Sequence, residues 1–265
     1  MKTILLLVHD DEGQEARLQA SLDVARAIDG HLKCLDVAVM PVFVGDFYSG
    51  AGEAMLLADE RRQEADNRVR IEVRLAKEDV PWDWTDTTGA LAPALEEAAL
   101  LADLIVVNRA LDFPIPDMRG VAGDLLIRSG KPILAVPQES RGFDPRGHVL
   151  ICWDGSPCAT AAMRAAVPLL KLAGTVMLLE IGEDGVSSSA EDAAEYLSRH
   201  EVHAVIERRP SVAHKADMIL DQIAQERADY VVMGGFSHLR LQEALFGGVT
   251  RTMLGKCPVP IFMAH

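Results

Sequence analysis

The apolar positions of the chain alternate between short continuous runs and stretches of helical spacing. Ile4-Leu5-Leu6-Leu7-Val8 is an unbroken apolar run, and His9-Asp10-Asp11-Glu12-Gly13 follows as a polar loop. Ala16, Leu18, Leu22, Ala25 and Ile28 then recur at helical spacing, with Gly30 closing the segment. Leu32 to Met40 reads as a second strand. Residues 41–53, rich in Gly, Pro and aromatic side chains, read as a loop, and 54–67 as a charged helix. Val69 to Leu75 alternates apolar with charged residues, which predicts a half-exposed strand. Trp82 and Trp84 stand in a polar stretch that reads as a loop, where they either cover a core edge or stack on a ligand. A helix over 90–101, a buried strand at 103–107, a helix near 120–129 and a short strand at 132–137 complete this half.

Residues 138–147 are polar and carry Gly, Pro and charge, the composition of a linker. The order of elements then restarts. Strands are predicted at 149–153, 175–181, 202–207 and 230–233, separated by helices at 158–172, 190–200 and 211–227. Ala102-Asp103-Leu104-Ile105-Val106-Val107-Asn108 lines up with Ala228-Asp229-Tyr230-Val231-Val232-Met233-Gly234. Gly120-Val121 through Pro132-Ile133 lines up with Gly248-Val249 through Pro260-Ile261. The chain therefore reads as two tandem α/β domains, residues 1–138 and 147–265. Each has five strands in a doubly wound parallel sheet, with right-handed crossovers and helices on both faces. Pro132, Pro137, Pro258 and Pro260 confine the last strand of each half to an edge or to limited pairing. Two such edges invite the halves to pair with each other.

Composition narrows the function. The chain has 265 residues, 49% of them hydrophobic, enough for a sizeable core. Its formal net charge of -14 argues against a nucleic-acid partner, because a polyanion needs a basic footprint. The first 140 residues carry a net of -11 and the remainder -3, so a small anion meets less repulsion on the second half. No apolar run reaches the roughly 20 residues that span a bilayer, and no membrane association is expected. No cationic and apolar leader opens the sequence. Cys34, Cys152 and Cys257 lie in or beside apolar runs and read as reduced thiols, which points to the cytoplasm.

Candidate chemistry converges on the second half. An apolar run, Val231-Val232-Met233, ends in Gly234-Gly235, and a polar loop with Ser237 and His238 follows. A second glycine pair, Gly247-Gly248, opens the apolar-periodic segment Val249 to Leu254. That is the pattern of a strand, a loop and a helix N-terminus. Such an N-terminus offers unpaired N–H groups and a positive dipole end to an anion. Ordinary turn chemistry explains the same glycines sterically. Asp154-Gly155-Ser156, after the half's first strand, would meet this loop at the C-terminal ends of the strands, where open α/β sheets bind ligands. A carboxylate able to hold a ribose hydroxyl would then face a cradle able to hold phosphates.

Other chemistry has weaker support. His200-Glu201-Val202-His203 is not a zinc-helix motif, and Ser156 is not in a nucleophile elbow. Cys158 at a helix start is a candidate for a lowered thiol pKa, without an evident base. Neither an enzyme nor a metal site is indicated.

Asp154-Gly155-Ser156, Met233-Gly234, Gly247-Gly248-Val249-Thr250 and the closing Pro258-Val259-Pro260-Ile261 together resemble the universal stress protein family. The resemblance covers the chain as two tandem copies, with the second the better match. It implies the adenine nucleotide alpha hydrolase-like fold, copies paired through their last strands, and a stress-related regulatory or binding role. Some members bind ATP through Gly-x-x-Gly, nine residues, then Gly-Ser or Gly-Thr. Asp154 corresponds to the ribose-side aspartate, Gly234 to the first loop glycine and Gly247 to the third. Ser237 replaces the second glycine. Gly248 replaces the phosphate-binding hydroxyl residue, and Thr250 lies two residues on. His238 and Arg240 fall inside the loop, as solvated residues or as charge for a phosphate. Binding is therefore expected at Asp154, Gly234, Ser237, Gly247, Gly248, Val249 and Thr250, with ATP in the second copy only. In the first copy His9 stands in Asp154's place, Asn108-Arg109 replaces the opening glycines, and Pro114 and Pro116 remove backbone donors from the loop. That copy reads as a degenerate structural partner. The alternative is a nucleotide-free scaffold that works through protein–protein contacts, and a homodimer of tandem chains is compatible with either reading.

Overall fold

Among the described residues, ten strands alternate with eight α-helices. The computed structural model describes residues 1–39, 50–109, 121–182, 188–235 and 248–265. The first half runs β1 (Thr3–Val8), α1 (Gln14–Ile28), β2 (His31–Val39), α2 (Gly50–Leu75), β3 (Trp82–Gly89) and α3 (Leu91–Ala98). A 3-10 turn at Ala99–Leu101 extends α3, and β4 (Leu104–Asn108), α4 (Val121–Ser129) and β5 (Ile133–Val136) follow. The second half runs β6 (His148–Trp153), α5 (Pro157–Leu170), β7 (Thr175–Ile181), α6 (Ala190–Arg199) and β8 (Ala204–Arg209). It ends with α7 (Lys215–Glu226), β9 (Tyr230–Gly234), α8 (Gly248–Lys256) and β10 (Ile261–Ala264).

The strands form one sheet in the order β3-β2-β1-β4-β5-β10-β9-β6-β7-β8. Every neighbouring pair is parallel except β5 and β10, which are antiparallel with Phe262 opposite Leu134 and Met263 opposite Ile133. Each half thus has the doubly wound five-stranded order, and the last strands join the two. The prolines act as expected of limited pairing: β5 is held to four residues between Pro132 and Pro137. Directly opposite residues share a sheet face, so each core layer runs across the junction. One layer holds Ile4, Leu6, Leu134, Val149 and Phe262. The other holds Leu5, Leu7, Ile133, Leu150 and Met263.

Two elements differ from the sequence expectation. Val69 to Leu75 is the last part of α2, not a strand. Ile71 and Leu75 are one helical turn apart and buried, while Val69 and Val73 lie on the outer face at 62% and 55% exposure. Spacing of four residues therefore fits better than alternation. The third strand comes later, at β3, in the stretch that reads as a loop. Thr, Trp and β-branched residues suit such an exposed edge. Trp82 and Trp84 pack half-buried against the core, which is the covering role. The Trp84 indole N–H donates to Asp86 at 2.7 Å, and the Arg68 guanidinium lies 5.2 Å from its ring centroid. Most of the loop expected at 41–53 lies outside the described residues, and 50–53 already belong to α2.

Candidate functional site

In the second half, the chain winds from β6 to β7 on one side and returns to β9 on the other. The strand order therefore reverses at the β6–β9 pair, where Cys152 lies opposite Met233. The residues just beyond, Asp154 and Gly235, leave the sheet at the same edge. Helices that follow parallel strands start at this edge, so the N-termini of α5 and α8 both open onto it.

Local sequence builds the β6–α5 turn. Gly155 takes a left-handed φ of 67°, and Pro157 opens the helix where its missing N–H and fixed φ suit the first turn. Ser156 caps α5, its Oγ accepting from the Ala159 N–H at 3.1 Å. Asp154 is exposed, and its Oδ1 accepts from the Ser156 N–H at 3.0 Å. That bond fixes the carboxylate at the mouth of the turn and leaves its other oxygen to solvent.

The opening glycines have steric reasons. A Cβ on Gly234 would lie 2.5 Å from the Ala159 nitrogen and 2.6 Å from the Cys158 carbonyl carbon, so only glycine lets β9 pass the start of α5. A Cβ on Gly235 would run into the Leu126 side chain of the first half. Gly248, the exposed first residue of α8, is different: a Cβ there would meet only the His214 ring, at 3.6 Å, an ordinary contact. Val249 is partly buried, and Thr250 is 6% exposed. The predicted residues Asp154, Gly234, Gly248, Val249 and Thr250 are thus placed. Ser237, His238, Arg240 and Gly247 lie outside the described residues.

Cys158 and His265 were not assigned to this corner from the sequence. His265 Nδ1 lies 2.9 Å from the Gly235 carbonyl and 3.5 Å from Cys158 Sγ. The expectation of a lowered Cys158 pKa is overturned. Burial pushes the thiol up, and the Asp154 carboxylate adds to the shift.

The equivalent corner of the first half is filled. Arg17 is 0% exposed, and its Nη1 is bonded to both Asp11 oxygens at 2.9 Å and to Asn108 Oδ1. Its Nε donates to the Leu7 carbonyl at 3.1 Å and its Nη2 to that of His9 at 3.1 Å. Burial lowers the guanidinium pKa while Asp11 pulls it back. Asn108 takes the position of Gly234, and here the glycine is on the helix side: a Cβ on Gly13 would meet Asn108 Cγ at 2.6 Å. Only Arg17, hidden between Ala16 and Leu18 in an apolar-periodic segment, hints at this plug in the sequence. An open pocket of about 490 Å³ lies at the opposite strand ends, lined by Asp144, Asp229 and Pro258 among others. Asp229 is already committed there, accepting from the His148 N–H at 2.6 Å.

His200 and His203, weighed as metal ligands, do not cluster with other candidate ligands among the described residues. The His200 ring instead stacks on Tyr196 with centroids 4.6 Å apart. The four cysteines are unpaired. No helix among the described residues is long and apolar enough to cross a membrane.

Comparison with known proteins agrees with this architecture. The universal stress protein family model matches residues 145–265. A universal stress protein from Archaeoglobus fulgidus superposes with a TM-score of 0.74 at 17% identity, covering 99% of this chain and 97% of that one. A Pseudomonas aeruginosa protein assigned to the universal stress proteins superposes with a TM-score of 0.61 at 16% identity, covering 100% and 93%. No curated protein matches the sequence. These structural likenesses establish the fold of the whole chain, tandem halves included. Residues 145–265 thus match the universal stress protein family model, and the chain as a whole has the fold of universal stress proteins.

Proposed function

We propose that the chain is a cytoplasmic, stress-related binding protein whose second half, residues 147–265, holds one adenine nucleotide, ATP. Residues 1–138 serve as its structural partner and bind none. The observation that carries this reading is the exposed Asp154 carboxylate at the strand-order reversal, beside two helix N-termini and opposite a corner plugged in the other half. Asp154 would accept from a ribose hydroxyl through its free oxygen. Backbone N–H groups of Gly234, Gly247 and Gly248 would face the phosphates, with Thr250 assisting and α8's positive dipole end behind them; the Gly235 N–H is already given to the Ala264 carbonyl at 3.0 Å. Buried Thr250 supports the backbone there more than it offers its hydroxyl. No general base faces this corner among the described residues except through His265 and Cys158, and the protonated thiol favours binding over catalysis. The β5–β10 pairing makes the halves one body, which a homodimer would extend.

Calorimetric titration with Mg-ATP tests this. Binding that Asp154→Ala abolishes without altering the far-ultraviolet spectrum supports it, and unchanged affinity removes it. The steric reasons for Gly234 and Gly235 favour one rival, a nucleotide-free scaffold. That reading predicts no calorimetric signal and no thermal shift with ATP.

A further inference from the structure

The first half's corner contains a group that the Arg17 plug does not satisfy. Asp36, on β2, is 4% exposed, and its Oδ1 has no hydrogen-bond partner. By strand alternation Asp36 shares a face with Leu32 and Cys34, in the core layer that α2 closes with Ile71 and Leu75. Stepping back along α2 from Leu75 by three or four residues passes Ile71, Asn67, Glu64 and Glu60. This is one continuous stripe, apolar at its C-terminal end and polar towards its N-terminal end. Glu64 is 3% exposed and Asn67 is fully buried, so the polar part of the stripe is pressed against the sheet. His9 follows Val8, the register partner of Asp36 on β1. Its Nδ1 lies 2.6 Å from Glu64 Oε1. His9, Glu60 and Glu64 each bring a ligand atom to within 4.8 Å of the others.

The neighbouring cations do not balance these carboxylates. Arg17 is bound to Asp11, Asn108 and two carbonyls. Arg68 is paired with Glu72 and Asp86 nearer the surface. Buried carboxylates that lack a cation are costly, and a metal ion is one of the standard ways to hold them.

We propose that His9, Asp36, Glu60 and Glu64 form a site for one first-row divalent cation, between the end of β1, the middle of β2 and the polar end of α2. One imidazole with carboxylates suits Zn²⁺ or Mn²⁺ and disfavours soft ions that need thiolates. Tetrahedral zinc places its ligand atoms about 3.4 Å apart, so the His9, Glu60 and Glu64 atoms, all within 4.8 Å of one another, would draw in around the ion. The two halves would then hold different ligands at equivalent strand ends, a cation in the first and an anion in the second. The cation site stands on its own residues, independent of nucleotide binding.

The test uses the full chain, stripped with chelator, desalted and titrated by calorimetry with Zn²⁺ or Mn²⁺ alone. Metal retained after a second desalting is counted by mass spectrometry. One ion per chain is expected, weakened at least about tenfold in Asp36→Asn and in Glu64→Gln. His203→Ala, which alters a histidine elsewhere, should bind as the wild type does. Glu64 also accepts from the Asp10 N–H, so Asp36→Asn is the variant that decides if Glu64→Gln fails to fold. Zn²⁺ should raise the Tm of the wild type and leave that of Asp36→Asn unchanged. A wild-type chain that retains no ion and gives no heat overturns the proposal. So does an Asp36→Asn protein that binds as tightly as the wild type.

Discussion

The two halves share one strand order, yet their equivalent corners have opposite contents. In the second half the crossing of β9 over α5 is made with glycine on the strand, at Gly234, and Asp154 just beyond is exposed. In the first half glycine is on the helix side, at Gly13, and the strand contributes Asn108, which joins Arg17 and Asp11 in a buried network. The same backbone packing is therefore reached in two ways, and among the described residues only the first half's corner is filled by a buried side-chain network. A corner of a duplicated fold need not be built the same way twice. Here polar side chains that bond one another take up the space.

Breaking the plug should have the largest effect. Arg17→Met removes the cation from the Asp11 carboxylate, which keeps the Gly13 N–H, and takes a donor each from Asn108 Oδ1 and the Leu7 and His9 carbonyls. It should cost about 3–5 kcal/mol in urea unfolding. The matching injury in the second half is Gly234→Val, which drives a side chain into the α5 backbone. A loss of about 2–4 kcal/mol is expected there, with the clash, not a lost ligand, as its cause.

These two sites also show what could be read in the chain beforehand. The tandem repeat, the alternation of strands with helices and the prolines of the last strands were all legible, because each is a local pattern. Asp154 was legible for the same reason, since it follows an apolar run directly. The α2 and β3 assignments failed where two periods coincide. Val69, Ile71, Val73 and Leu75 alternate like a strand, but Ile71 and Leu75 also match a helical face, and only packing against β2 decides between them. Trp82 to Gly89 carries no apolar run, as befits an exposed edge that pairs only with β2. Arg17, Asp36 and Glu64 were missed because burial of a charge is a tertiary fact. Arg17 is fixed in part by distant Asn108, and Glu64 by His9 and the Asp10 N–H, which only the fold brings to them.

The cysteines sharpen the contrast on a smaller scale. Burial pushes the Cys34 thiol in the first half's core up to about 12, and raises Cys158 at the second half's corner by burial and by Asp154. Both raised values mean less thiolate at neutral pH, so labelling of each should accelerate as pH rises. In the native protein at pH 8, Cys158 should react at least about tenfold faster than Cys34, as read by mass spectrometry of labelled peptides. Equal rates would mean that Cys158 is shielded as fully as a core thiol.

The smallest expected change is in the stability of Asp154→Ala. Its carboxylate is exposed and makes one bond to its own turn, so the loss should stay within about 0.5 kcal/mol. The variant therefore separates ligand loss from unfolding.

The decisive measurement is a titration of Mg-ATP into the wild type and Asp154→Ala, with stoichiometry read by calorimetry. One nucleotide per chain, abolished in Asp154→Ala while its unfolding curve is unchanged, is the result predicted from an exposed Asp154 in the second half and a plugged corner in the first. Two nucleotides per chain, or one that survives in Asp154→Ala, would contradict it, and so would the absence of any binding.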